Sequence, residues 1–384
     1  MKLLVLSSRF PYPIEKGDKL RIYHQIRELA TQHEITLIAL SDQPVSESQL
    51  AEMRQYCHEI HVFRLSKIRI YARLLGSLFT KKPFQQAYFF RPKIARQVRK
   101  IIMETKPDMI YCQLLRMAAY CQDIPFTKTL DYMDALSLGM KRRAAHSPFW
   151  LKPIFQREAC LLKNYEQKLL QDFDHHTIIS ASDGEEIAPS SSAITTIPNG
   201  VDVNFFSPKK EVNSTYDLVF VGNMGYFPNV EASRFLVKKI IPLLPEGTSL
   251  LLAGARPDPQ VKALAGNDIH ISGWVDDIRD AYADGKIFVA PLFTGSGQQN
   301  KILEAMAMGI PCVTTSLVNQ AIGASPEQEI LLADSAEAFA QQIISLQSKP
   351  ELRTQLGIAG RKWVQEKYSW KGSVEMLQRI WEEH

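Results

Sequence analysis

Two α/β units, each built on a parallel sheet, are the architecture this sequence predicts. The first observation is length: 384 residues exceed one ordinary hydrophobic core and suit two domains. The second is an alternation of short β-rich runs with longer amphipathic stretches along almost the whole chain. The third is a turn-rich break over 198–216, where Pro198-Asn199-Gly200, Pro208 and a polar run precede a fresh strand.

The run over 3–7 is the first strand, and 11–17 is a loop. A helix then begins at Asp18 or Lys19, with Asp18 as candidate N-cap and Arg21 and His24 on one face. Strands follow over 35–40, 60–65, 109–113, 129–132, 177–180 and 194–197, with helical patterns over 19–31, 47–57 and 93–105. A long helix is expected over 152–172, after Pro148, with Glu158 and Glu166 on a solvated face. His175-His176 lack a third ligand and read as structural. In the second half the strands are 218–221, 250–253, 269–272, 287–290, 312–315 and 330–332, and the last helix covers 370–381.

Composition narrows the function classes. The 45% hydrophobic and 22% charged fractions are those of a folded globular protein and exclude disordered, collagen-like and coiled-coil chains. There is no uncharged apolar run of the roughly 18–20 residues a bilayer span needs, and residues 1–6 are too brief for a secretory signal. The five cysteines are odd in number, scattered and without a Cys-x-x-Cys, so reduced thiols and a cytoplasmic location are expected, with no zinc site. The net charge of +4 conceals an asymmetry: residues 1–200 carry 28 bases against 20 acids, residues 201–384 carry 17 against 21. Between Glu59 and Glu104 lie eleven Lys and Arg, no acid, and many interleaved aromatic and aliphatic residues. Residues 60–103 are therefore read as a surface for an anionic membrane, ahead of solvated helices over an apolar face and of nucleic acid. That places the protein peripherally on the inner face of the plasma membrane.

The most informative stretch is 290–311. A strand ends at Pro291, a loop carrying Gly295-Ser296-Gly297 follows, and a helix over about 299–308 is stopped by Gly309 and Pro311. Strand, glycine loop and helix N-terminus form an anion site, for which the backbone of Gly297, Gln298, Gln299 and Asn300 supplies N–H groups. Lys301 adds a cation in the first turn, where it is unfavourable without an anion. Glu304 lies three residues beyond Lys301 and four beyond Asn300, so the three share one helix face. A carboxylate one turn past a phosphate site is placed to accept two hydrogen bonds from a ribose diol.

Here the sequence resembles a known family. Lys301-x-x-Glu304-Ala305-Met306-Ala307-x-Gly309-x-Pro311 is similar to the nucleotide-sugar signature of the family 4 retaining glycosyltransferases. Ile197-Pro198-Asn199-Gly200-Val201-Asp202, Val221-Gly222-Asn223, Leu252-Ala253-Gly254, Ile271-Ser272-Gly273-Trp274-Val275 and Tyr368-Ser369-Trp370 resemble further family segments in order and spacing. Lys16-Gly17-Asp18-Lys19-x-Arg21 with Gly225-Tyr226-Phe227-Pro228-Asn229 resembles a bacterial exopolysaccharide subgroup. The resemblance implies the GT-B fold: two Rossmann-like domains facing a cleft, here 1–200 for the acceptor and 201–365 for the donor. Part of 366–384 would return to the first domain. It implies a donor site of Gly17, Lys19, Arg21, Asn199, Gly222, Asn223, Met224, Gly273, Trp274, Val275, Gly295, Ser296, Gly297 and the helix start through Glu304. It implies no metal and no cofactor, the nucleotide-diphosphate sugar being a co-substrate, and front-face attack in which a donor phosphate takes the acceptor proton.

Two departures stand out. Ser296 occupies the position of the family's first motif glutamate. The loop after Gly222 holds no base until Arg234, so the diphosphate falls to Lys301 with Lys19 or Arg21. In the first half, Asp131 and Asp134 end a strand and are candidates for holding a hydroxyl or acting as base. The function expected is sugar transfer from a nucleotide-diphosphate sugar to a saccharide or lipid-linked saccharide in polysaccharide biosynthesis. The alternatives are a non-catalytic nucleotide-sugar-binding partner and a GT-B sugar-nucleotide epimerase.

Overall fold

The computed structural model describes residues 1–77, 80–145, 147–190, 192–209, 214–294 and 298–382; the side chains of 67–69, 71 and 72 are not described. The chain divides into two compact units, Met1–Pro198 with Ser373–His384, and Asn199–Gly372.

The first unit is a seven-stranded parallel sheet. Its strands are β1 (Lys2–Ser7), β2 (Glu34–Ser41), β3 (Glu59–Arg64), β4 (Met109–Gln113), β5 (Lys128–Asp131), β6 (His175–Ile178) and β7 (Thr195–Thr196), in the order β3-β2-β1-β4-β5-β6-β7. β1 is central, pairing Leu3 with Ile35 on one side and with Met109 on the other. Its side chains alternate between two layers, which is why Leu3, Leu4, Val5 and Leu6 are all apolar. Leu4 and Leu6 pack with Val98, Ile102 and Leu162 of the helices Pro92–Thr105 and Lys152–Leu169. Leu3 and Val5 pack with Ile22 and Ile26 of the helix Gly17–Leu29 and with Val374 and Leu377 of the C-terminal helix Trp370–Glu382.

The long helix corrects one expectation. Glu158 and Glu166 are not on a solvated face: they are 2% and 0% exposed. Glu158 accepts from the backbone N–H groups of Phe84 (2.9 Å) and Gln85 (3.3 Å), so it caps the helix Phe84–Phe89 from outside. Glu166 Oε1 accepts from Ser137 N at 3.0 Å, at the start of the helix Leu136–Ala145. Free N–H groups at helix starts are what make a buried carboxylate tolerable. His176 is likewise structural, stacked on Tyr132 with its Nε2 3.3 Å from Leu169 O.

The second unit is a six-stranded parallel sheet of β8 (Tyr216–Val221), β9 (Leu250–Ala253), β10 (Ile269–Gly273), β11 (Gly285–Ala290), β12 (Cys312–Thr314) and β13 (Leu331–Leu332), in the order β10-β9-β8-β11-β12-β13. Gly254, just beyond β9, has φ +136°, and a Cβ there would fall 1.8 Å from Gly222 O. Only glycine fits, and the two backbones meet where β8 ends. In both sheets the strand order reverses beside the first strand, between β1 and β4 and between β8 and β11. Open parallel sheets gather ligands at the carboxyl ends of the strands flanking such a reversal. Among the described residues no helix is long and apolar enough to cross a membrane.

Candidate functional site

In the second unit the reversal point is occupied by Lys301 and Glu304. Both lie on the helix Asn300–Ala307, which follows β11. Ile302, Leu303, Ala305 and Met306 bury the remaining faces in the core, which fixes the helix and leaves the other two half-buried. Arg361 holds the far end by donating to Ala307 O, and to Phe206 O at 3.0 Å.

Lys301 Nζ donates to Asn229 Oδ1 and sits 5.3 Å from the centroid of the Phe220 ring. Asn229 Nδ2 in turn donates to Asn223 O at 2.9 Å, tying the ammonium to the loop after β8. A Cβ on Gly222 would lie 2.7 Å from Asn229 Nδ2 and 3.4 Å from Lys301 Nζ, so Gly222 makes room for both. Desolvation pushes the ammonium down to about 8, against the opposing pull of Glu304. Glu304 Oε2 accepts from the buried Tyr282 hydroxyl at 2.7 Å. Burial raises its carboxyl above the usual range, while Tyr282 and Lys301 act the other way. The buried Oδ1 of Asn300 has no hydrogen-bond partner among the described residues. A cation bonded to a neutral amide, a buried amide oxygen with no partner among the described residues, and a carboxylate thus lie within one helical turn.

Other expected positions surround them. Asn199 is buried, and its backbone pairs twice with Gln298, N to Oε1 at 2.8 Å and O to Nε2 at 2.9 Å. Gln299 is the residue preceding the helix, and its carbonyl accepts from Ile302 N at 3.0 Å. Asn223 Oδ1 accepts from Gly225 N at 3.1 Å. Gly273 ends β10, and its carbonyl accepts from Gly254 N at 3.0 Å. Trp274 is 70% exposed, and Val275 packs against the core. Met224 departs from its expected donor role: its side chain is fully buried, its N donates to Ala255 O and its O accepts from Asp258 N. Gly295, Ser296 and Gly297 lie outside the described residues.

In the first unit the structure separates what sequence grouped. Asp131 and Arg21 have fully buried side chains and are paired, Arg21 Nε to Asp131 Oδ2 at 2.6 Å. Tyr111 OH also donates to that oxygen at 2.8 Å, and Met133 N to Oδ1 at 3.2 Å. Neither charge has an exposed atom to offer a substrate, so the pair is structural: Asp131 is corrected as a base, and Arg21 as a diphosphate ligand. His24 is buried too. Asp134, three residues on, keeps solvent contact. Desolvation within its loop, then the nearby Asp183 and Asp131, push its carboxyl up to about 6. Gly17 is exposed, and Lys19 is half-buried with its ammonium lowered by desolvation. Asp18 is not a cap: the helix starts at Gly17, and the Asp18 carboxylate pairs with Arg9 and lies 3.7 Å from Arg116.

Sequence reasoning missed Asn229, Tyr282, Arg9 and Arg116. Asn229 stood in a quoted motif without a role; Tyr282 and the two arginines carried no local signal.

Residues 19–205 match the Glycosyltransferase Family 4 domain, and residues 215–349 match Glycosyl transferases group 1. The chain belongs to the family 4 and group 1 glycosyltransferases. This glycosyltransferase is 23% identical over 395 residues to an uncharacterized 44.6 kDa protein in the cps region of Klebsiella pneumoniae, covering 96% of this chain and 97% of that one. Its fold is similar to that of sucrose-phosphate synthase from Thermosynechococcus elongatus (TM-score 0.74, 16% identity, covering 100% of this chain and 99% of that one). It is also similar to HepE of Anabaena in complex with UDP (TM-score 0.71, 12% identity, 100% of both chains). The two parallel α/β units are thus those of a GT-B glycosyltransferase.

Proposed function

We propose that this glycosyltransferase moves a sugar, with retention, from a nucleoside diphosphate sugar to a saccharide or lipid-linked saccharide in cell-surface polysaccharide biosynthesis. The observation that carries the reading is Lys301 and Glu304 on one helix face at the reversal point of the second sheet. Lys301 neutralises the leaving diphosphate, helped by the N–H groups at the helix start. Glu304, held by Tyr282, accepts from the ribose diol. Trp274 stands exposed after β10 as a wall for the base. Asp131 is internally paired and Ser296 replaces the first motif glutamate, so neither supplies a free carboxylate nucleophile; front-face attack with a donor phosphate as base fits that set. The acceptor binds the first unit, where Arg9, Arg116 and Asp134 follow β1, β4 and β5. The UDP and UDP-glucose recorded with HepE, and the cps-region setting of the Klebsiella protein, support donor class and pathway class respectively.

A thermal-shift series with UDP-, GDP-, ADP-, CMP- and dTDP-sugars tests this, because a ligand of the native state raises its midpoint. One nucleotide class should shift the protein, and Glu304→Ala should abolish the shift. No shift with any of them in a folded sample would overturn the donor site. Ser296 favours one second reading, a binding partner without turnover. That protein would shift with donor yet release no nucleoside diphosphate with any acceptor.

A further inference from the structure

The hairpin of helices after β5 ends in two largely exposed aromatic side chains. Phe149 is 87% exposed and Trp150 63%, adjacent in the turn between the helices Leu136–Ala145 and Lys152–Leu169. The helices run antiparallel. Ser137 is bonded to Glu166 at the base, and the Arg143 guanidinium lies 4.7 Å from the centroid of the Phe155 ring further out. Sixteen residues separate Glu166 from Trp150, so the aromatic pair lies on the order of 24 Å along the helix from that base. Exposed Ile154 extends the apolar surface by one turn.

The charge around this tip has one sign. From 135 to 157 there are five Lys and Arg and no Asp or Glu. Lys141, Arg142, Arg143 and Lys152 are exposed. Arg157 donates to the backbone carbonyls of Ser77 and Thr80. Those two residues line an adjoining groove of about 340 Å³ with Arg73, Lys82 and Phe90. The basic, acid-free interval over 60–103 therefore meets the hairpin at this groove.

We propose that residues 148–151 form a membrane-contacting tip that places Phe149 and Trp150 among the headgroups of an anionic bilayer, with the basic collar and groove on its lipid phosphates. Exposed aromatic side chains at a helix–helix turn, flanked on both sides by exposed Lys and Arg, match an interface that is apolar just below a layer of negative charge. A second copy of the chain does not suit this end, since two such collars repel. The contact needs no sugar transfer, so it stands or falls apart from the donor reading.

Vesicle flotation tests it with the full chain. Wild-type protein should float with phosphatidylglycerol-containing vesicles at low salt and not with phosphatidylcholine vesicles. The double variant F149S/W150S should partition at least tenfold less, with an unchanged thermal midpoint. Lys141→Gln and Lys152→Gln should each weaken flotation about fivefold, an effect that salt erases. Absence of flotation with anionic vesicles, or equal flotation of the double variant, would overturn the proposal. So would retention on single-stranded DNA, but not on vesicles, that depends on Phe149 and Trp150.

Discussion

Donor binding through Lys301, as proposed, should weaken as pH rises. Its ammonium is held at about 8, well under the 10.5 of a free lysine, because it is desolvated beside Asn229 and the Phe220 ring. A bound diphosphate favours the charged form, so binding takes up a proton wherever free Lys301 is neutral. The protonated fraction falls roughly tenfold between about pH 7 and about pH 9, and affinity for a nucleotide-diphosphate sugar should fall with it. Titration calorimetry in two buffers of different ionisation enthalpy reads both the affinity and the proton uptake. Lys301→Met should lose about 10- to 150-fold at neutral pH, the roughly 1.5–3 kcal/mol of a hydrogen bond to a charged group. Its residual binding should lose the Lys301-dependent proton uptake. Wild-type binding that is level across this range, with no proton taken up, would refute the placing of diphosphate on Lys301.

Glu304→Gln should raise the thermal midpoint near neutral pH while weakening nucleotide-sugar binding by at least tenfold. Burial lifts the folded carboxyl above its unfolded value, so wild-type stability falls as pH rises through that interval, and the amide removes the loss. Asp131→Ala removes the buried carboxylate of the Arg21 ion pair and should cost about 3–5 kcal/mol in chemical denaturation. Unchanged stability with abolished transfer would instead restore Asp131 as a catalytic group. Gly254→Ala forces a Cβ towards Gly222 O and should cost at least ~2 kcal/mol by the same measurement.

The strands were legible because short apolar runs such as 218–221 and 287–290 have no alternative in a chain of this rhythm. That Lys301 and Glu304 share one helix was legible from their spacing of three, and the proposal that they bind the donor starts from a cation in a first helical turn being locally unfavourable without an anion. What local pattern could not reveal was the partner of a charge. Arg21 and Asp131 are 110 residues apart in sequence, and Glu158 serves N–H groups more than 70 residues upstream. A carboxylate on an amphipathic helix carries the same sequence signal whether it faces water or a distant helix start. Tyr282 failed similarly, since nothing nearby in sequence marks its hydroxyl as the support of Glu304.

The C-terminal helix has a consequence for how the chain is made. Its residues from Ser373 onward belong to the first unit, where Val374 and Leu377 fill the layer beneath β1 and Trp381 donates to Thr129 at 2.8 Å. The first unit is therefore discontinuous, with the whole second unit inserted before its last helix. A ribosome that has finished residue 198 has made every strand of the first sheet but not the side chains that close its underside. Of the two units, the one encoded first is completed last, and the second has all its residues emerged while the first still waits for its final helix.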